Sequence, residues 1–283
     1  MDENLFWPKG GIVFRCLTRH LFNSFVFLCC LIQPLAADSQ EIKTLTFATP
    51  QYHPLTLLGY EIISEAYQNI GYQVAIDYYP HERALYMSNS GQVDGELGRV
   101  GSIDPNYENL LRVPVSFLSL KMNSVSMKNA SRRETQLPEL KQFRVGLIRG
   151  SKFLEYLFTD SDTILTQNTG QLLRLLKKGR VDYAIADTIL VEVELAKGKL
   201  DKKLFDSYTL PDLTSPIFHF LHKRHQSLVP LIHAELLKMK QNGRIAALEQ
   251  NFMACVRKGR LQFPDREHPG YSCPPMITAN LSH

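Results

Sequence analysis

Seven residues of this chain carry groups suited to holding a small polar or charged molecule: Asp187, Arg99, Ser151, Gly150, Tyr52, Tyr79 and Arg83. Arg99 stands at the end of a predicted strand, where its planar guanidinium can pair in bidentate fashion with a carboxylate. Gly150-Ser151 falls where a strand gives way to a helix, so backbone N–H groups and the Ser151 hydroxyl can hold an anion; a plain helix cap would also call for Ser there. Asp187 closes a run of apolar residues, and capping the next helix is its structural alternative. Tyr52 and Tyr79 each follow a strand and can wall a ligand by stacking, as they can also belong to the core. Arg83 begins a helix beside Glu82, and an ion pair on the helix surface would equally account for it.

These groups bind; they do not form a catalytic set. The chain has no Gly-x-Ser-x-Gly nucleophile elbow, no His-Glu-x-x-His pair and no phosphate-cradling glycine loop, so no cofactor is expected. Glu96 and Asp187 are the carboxylates that a cleft enzyme would use. His219, His222 and His225 recur at three-residue spacing and invite a metal reading. On a strand followed by a turn they would not converge, and a solvated basic edge is expected instead.

The elements that must position these residues alternate between strand and helix. Leu45–Ala48, Val74–Tyr79, Val93–Leu97, Arg144–Ile148 and Val181–Ala186 read as strands. Tyr60–Ile70, His81–Ser90, Lys152–Phe158, Gln171–Lys178, Leu228–Gln241 and Arg244–Phe252 read as helices, and Arg112–Met127 and Pro216–Leu221 as extended stretches. Such alternation predicts α/β layers with mostly parallel strands. The order also repeats: Gly91-Gln92-Val93-Asp94 leads from a helix end into a strand, and Gly179-Arg180-Val181-Asp182 does the same 88 positions later. Each Gly would stop a helix in the left-handed conformation and each Asp would open a strand, so two similar lobes are implied.

The 283 residues are 44% hydrophobic and 21% charged, within the range of folded globular chains and too apolar for disorder. The 32 Lys and Arg are scattered, not gathered in a stripe, which argues against nucleic acid as partner. Lys9, Arg15 and Arg19 precede an apolar run from Phe22 to Ile32, followed by Pro34-Leu35-Ala36-Ala37. This predicts a secretory signal peptide over residues 1–37, with an uncleaved N-terminal anchor as the alternative. Its removal takes the 32 basic and 28 acidic residues to 29 and 26, and leaves Cys255 and Cys273 of five cysteines. Two cysteines in an exported chain predict one disulfide, which would contribute about 3 kcal/mol by closing its loop.

In order and spacing these elements resemble family 3 of the extracellular solute-binding proteins, the amino-acid type, over about residues 42–253. The resemblance is carried by Gly59-Tyr60-Glu61-Ile62-Ile63, Gly91-Gln92-Val93-Asp94, Arg144 through Ser151, Gly179 through Asp187, the Phe218–Lys223 strand and Asn242-Gly243-Arg244-Ile245. It implies a type II periplasmic-binding-protein fold, two α/β lobes joined by two extended crossings. The expected division is residues 38–125 and 216–256 in the first lobe, 126–215 in the second, and a tail over 257–283. It further implies that Asp187 holds a ligand amino group and Gly150-Ser151 a carboxylate. The Gly98-Arg99-Val100-Gly101-Ser102 segment departs from the family's usual Thr-rich pattern and points to a divergent stand-alone branch. The implied activity is periplasmic capture of a small polar solute, an amino acid or related carboxylate, by a monomer serving an inner-membrane permease or a sensor. The enzyme alternative is a cleft dehydratase acting on cyclohexadienyl carboxylates.

Overall fold

The computed structural model describes residues 43–50, 53–101, 106–128, 136–262 and 270–274. The expected leader and Tyr52 lie outside them. The strands are β1 (Lys43–Pro50), β2 (Tyr72–Tyr79), β3 (Gly95–Val100), β4 (Leu110–Met127), β5 (Val145–Ile148), β6 (Thr163–Thr166), β7 (Tyr183–Asp187) and β8 (Phe205–His222). The helices are α1 (Pro54–Gln68), α2 (His81–Asn89), α3 (Leu137–Leu140), α4 (Lys152–Leu157), α5 (Thr169–Lys177), α6 (Thr188–Ala196), α7 (Val229–Gln241) and α8 (Arg244–Arg257).

The sheet order is β2-β1-β3-β8-β4-β7-β5-β6, and it divides into two halves built to one plan. In the first, β1 lies between its parallel partners β2 and β3, and β8 follows antiparallel to β3. In the second, β5 lies between its parallel partners β6 and β7, and β4 follows antiparallel to β7. Strands β4 and β8, 18 residues each, pair along both halves and are the two crossings. Their register jumps from Lys121↔Thr214 to Met122↔Leu210, leaving Pro211, Asp212 and Leu213 of β8 without a counterpart at the boundary between lobes.

The sequence repeat has a physical counterpart. Gly91 and Gly179 both take positive φ, 73° and 65°, a conformation glycine adopts without a Cβ clash. Val93 and Val181 are buried behind them. Asp94 Oδ2 accepts from the Thr46 N–H at 2.7 Å, and Asp182 Oδ2 accepts from the Arg144 N–H at 3.0 Å, each clamping a strand start to the neighbouring strand. Asp94 is further held by Arg224 and by His225 Nε2 at 2.6 Å. Asp94→Ala, which leaves a part-buried N–H without its acceptor, should therefore cost about 2 kcal/mol in urea unfolding, and the more exposed Asp182→Ala less. Equal losses at the two sites would contradict this reading.

The two halves of the sheet carry separate core clusters, with Ile189 of α6 lying in that of the first. On α1, Ile62, Ile63, Ala66 and Tyr67 form the face laid on Phe47, Leu97 and Leu221. Strand β7 is buried along its whole length. Its alternate residues serve opposite faces, Ala184 and Ala186 against α5 and Tyr183 and Ile185 against Phe158 and Leu154, as the two-residue period of a strand requires. His219 corrects the expectation of a solvated histidine edge: it is fully buried. Its Nδ1 lies 3.0 Å from Leu97 O and its Nε2 3.0 Å from Tyr67 Oη. The carbonyl only accepts, so Nδ1 carries the proton and Nε2 accepts from the phenol. Cys255 and Cys273 are joined, with Cα atoms 5.7 Å apart, and Tyr271 of the tied segment packs edge-on against Phe252 at 4.9 Å.

Candidate functional site

Two helix N-termini, one from each lobe, meet where the crossings pass between lobes. Pro54 at the first turn starts α1, because its ring presets φ and its missing N–H would find no partner there. His53 precedes it as the cap, its Nδ1 accepting from the Leu55 N–H at 3.2 Å. In the second lobe Asp187 caps α6, its Oδ1 accepting from the N–H groups of Ile189 at 2.8 Å and Leu190 at 3.0 Å. Thr188 Oγ1, the next residue, lies 2.7 Å from Asn123 Oδ1 and 3.0 Å from Lys121 O. The start of α6 is thereby fixed to the β4 crossing.

The capping role expected as the alternative for Asp187 is thus present, but it uses one oxygen. Asp187 is 6% exposed, and its Oδ2 is buried with no hydrogen-bond partner among the described residues. Burial raises the Asp187 carboxyl pKa, while the His53 charge and the two N–H groups pull it down. Burial lowers that of His53, against the pull of the Asp187 charge. A buried polar atom without a partner is costly, so this oxygen is a place for a donor. Asp187 lines a cavity of about 240 Å³ with Leu55, Leu58, Leu118 and Met253 on its apolar wall and Lys121, Glu249 and Arg257 as its other charged groups, a size for a small metabolite.

Elsewhere in the first lobe, burial lowers the His81 pKa, and the Arg99 and His53 charges lower it further. The guanidinium is occupied. Its Nε and Nη2 donate to Glu96 Oε1 at 3.2 and 2.9 Å, and Nη2 also to His81 O at 3.0 Å. Glu96, the carboxylate considered for a cleft enzyme, is fully buried. Burial pushes its pKa up to about 7 against the opposing pull of Arg99 and Ser88. A register irregularity in β3 between Glu96 and Arg99 turns both side chains the same way, which three residues of regular strand would not do.

The Gly150-Ser151 turn has φ of +91° at Gly150. Its Gly150 N–H donates to Glu155 Oε1 at 2.6 Å, and Lys152 Nζ stands 3.7 Å from the other carboxylate oxygen. Ser151 occupies the cap position of α4 without a side-chain capping bond. None of Arg99, Gly150, Ser151, Tyr79 and Arg83 is among the residues that line the Asp187 cavity. The Tyr79 hydroxyl donates to Asp77 Oδ2 at 3.2 Å on its own edge strand, and Arg83 is exposed on α2. Sequence reasoning missed His53, whose signal is a polar residue directly before a helix-starting proline, and Thr188 and Asn123, which carry no separate signal.

No family model matches the sequence. A protein of Shewanella oneidensis, described as uncharacterized, is 24% identical over 227 residues, covering 77% of this chain and 85% of its own length. The unliganded, open L-cystine solute receptor of Neisseria gonorrhoeae superposes with a TM-score of 0.61 at 15% identity, over 76% of this chain and 94% of that one. An ancestral cationic amino acid solute-binding protein gives 0.59 at 13% identity, over 74% and 95%. A histidine kinase sensor domain with similarity to periplasmic binding proteins gives 0.53 at 16%, over 75% and 96%. These likenesses define the class of fold, the two-lobed α/β architecture of solute-binding proteins. Among the described residues no helix is long and apolar enough to cross a membrane.

Proposed function

We propose that this chain is an exported solute-binding protein that captures a small polar solute between its lobes and presents it to a membrane permease or a sensor. The observation that carries this reading is the buried Asp187 Oδ2, without a partner among the described residues, at the junction of α1, α6 and the crossings. A protonated amine there would supply the missing donor and a compensating charge. Lobe closure around the solute would convert binding into a change of shape. In this reading residues 1–37 are a cleaved leader and the chain acts in the periplasm. Residues 38–125 and 216–256 form the first lobe, 126–215 the second, and 257–283 the tail, with Met122–Val125 of β4 already pairing with β7 of the second lobe. The likeness to binding proteins and to a kinase sensor domain supports capture without turnover.

The test is a thermal-shift screen of the exported protein, purified from a bacterial periplasm, against amino acids, amines, small carboxylates and sugars. A ligand at a hundred times its Kd stabilises the native state by about 2.7 kcal/mol, which moves the melting curve visibly. Asp187→Asn should abolish the shift given by the best ligand. Silence in every class, or an undiminished shift in Asp187→Asn, would refute the assignment.

A further inference from the structure

The second lobe gathers cations at one end. Lys177, Lys178 and Arg180 stand at the turn between α5 and β7, and Lys197, Lys199, Lys202 and Lys203 between α6 and β8. Lys128 follows the last residue of β4, and its N–H donates to Leu204 O at 2.7 Å. Met127 of β4 pairs with Phe205 of β8, and Val125 pairs with both Ala184 of β7 and Ser207 of β8, so the end of β4 lies between the starts of the other two strands. The apolar residues that flank the cations, Leu176, Val181, Leu200 and Phe205, are buried in one cluster on which Met127 and Leu204 pack. The two turns and Lys128 therefore share one face.

All eight cations are exposed. Among the described residues one of them has an ion pair, Lys197 with Glu194 at 2.6 Å. Of the acids nearby, Asp201 accepts from the Lys203 N–H at 2.9 Å, and Asp182 is held by Arg144 at 2.7 Å. Asp206 stands at the start of β8, and Asp160 and Asp162 precede β6 at the far edge of the sheet. No large hydrophobic residue of the two turns is exposed. A protein interface takes its energy from apolar and aromatic anchors at its centre, and this face offers none. An anionic bilayer requires none, since its surface potential attracts clustered basic residues without pockets or shape complementarity. Seven of the eight are lysines, flexible point charges suited to a fluid layer of headgroups.

We propose that this end of the second lobe is a membrane-adsorbing face that binds anionic phospholipid headgroups. Strand β7 starts at this face and ends in Asp187, roughly 13 Å further along the strand. The chain can thus lie on a bilayer with the Asp187 end of β7 held away from the headgroups. The inference does not depend on which solute, if any, the chain captures.

Co-sedimentation of the exported protein with lipid vesicles decides the matter. Phosphatidylcholine vesicles carrying about 40% phosphatidylglycerol should bring the protein down in about 50 mM NaCl, and pure phosphatidylcholine vesicles should leave it in solution. Raising the salt to about 0.5 M should release it. The triple variant Lys199→Gln, Lys202→Gln, Lys203→Gln should weaken binding about tenfold or more. Lys43→Gln, Lys223→Gln, Lys238→Gln makes the same change in net charge on exposed lysines of the first lobe, and should weaken it about twofold at most. Unchanged melting temperatures in both variants show that the fold is kept. Equal losses in the two variants would mean that net charge and not this face binds, and would overturn the proposal. Absence of sedimentation with the anionic vesicles, or equal sedimentation with the neutral ones, would also overturn it. Retention on immobilised heparin without binding to the anionic vesicles would assign the face to a soluble polyanion instead.

Discussion

Phe47→Ala is expected to destabilise the protein by about 4 kcal/mol and to lower its melting temperature by roughly 10 °C. Phe47 has no exposed surface and lies in the middle of β1. Its ring packs 5.3 Å from Tyr67 and edge-on against His219 at 4.7 Å, so it bridges α1 to the returning strand β8. Removing it forfeits the transfer free energy of the ring and leaves a cavity that these neighbours, each pinned by a hydrogen bond, cannot collapse to fill. Phe47→Leu, which keeps most of the volume, should cost far less. Urea midpoints of the three proteins measure the difference. Near-equal stability of the alanine and leucine variants would show that the core around β1 is not packed as described.

The second large effect concerns acid. Burial lowers the His219 pKa from 6.5 to about 4, against the Leu97 and Glu96 backbone groups that raise it. The unfolded imidazole takes its proton near 6.5, so between these values the unfolded state binds more protons than the native one. The stability this histidine contributes is fully present above pH 6.5 and is lost as the pH falls to 4, about 3 kcal/mol in all. Glu96, raised from 4.5 to about 7 by burial, has the opposite sense: its contribution is present below 4.5 and is lost as the pH rises through 7. The two trends offset each other in the parent protein and are separated by variants. Relative to the parent, His219→Gln should be much less unstable at pH 4 than at pH 7.5. Glu96→Gln should gain relative to the parent over the rise from 4.5 to 7. A deficit for His219→Gln that is the same at both pH values would mean that His219 does not reside neutral in the core.

Much of this fold is legible in the sequence because the strands of a doubly covered sheet are short apolar runs bounded by turn residues. Val145–Ile148 and Tyr183–Asp187 are such runs, and the Gly-x-Val-Asp pair marks equivalent turns in both lobes. Helix α1 starts at Pro54, not at Tyr60, because the His53-Pro54 start signal lies ahead of the periodic apolar face. Helix α6 escaped notice: Thr188-Ile189-Leu190-Val191-Glu192-Val193 is rich in β-branched residues and reads as more strand, yet the Asp187 cap and burial of Ile189 and Val191 hold it helical. At the site, Asp187 could be named from its place at the end of an apolar strand. The partners of Arg99 and Gly150 could not, since one depends on an irregularity in β3 and the other on the path of a short helix.

The division of the sheet also has a consequence for the order in which the chain can fold as it is delivered from its N-terminus. The second lobe draws its half of the sheet from one unbroken stretch, from Met122 of β4 to Leu210 of β8. The first lobe draws β1, β2 and β3 from the start of the chain but must wait for Ile217–Leu221, which lies between β3 and β4, and for α7 and α8. Until that return segment arrives, β3 presents an unpaired edge and the apolar face of α1 lacks Leu221, Ile232 and Phe252. Native contacts that close over so long a separation form late. Vectorial emergence therefore favours completion of the second lobe first, and leaves Asp187 already capping α6 before the His53 side of the site has a finished lobe behind it.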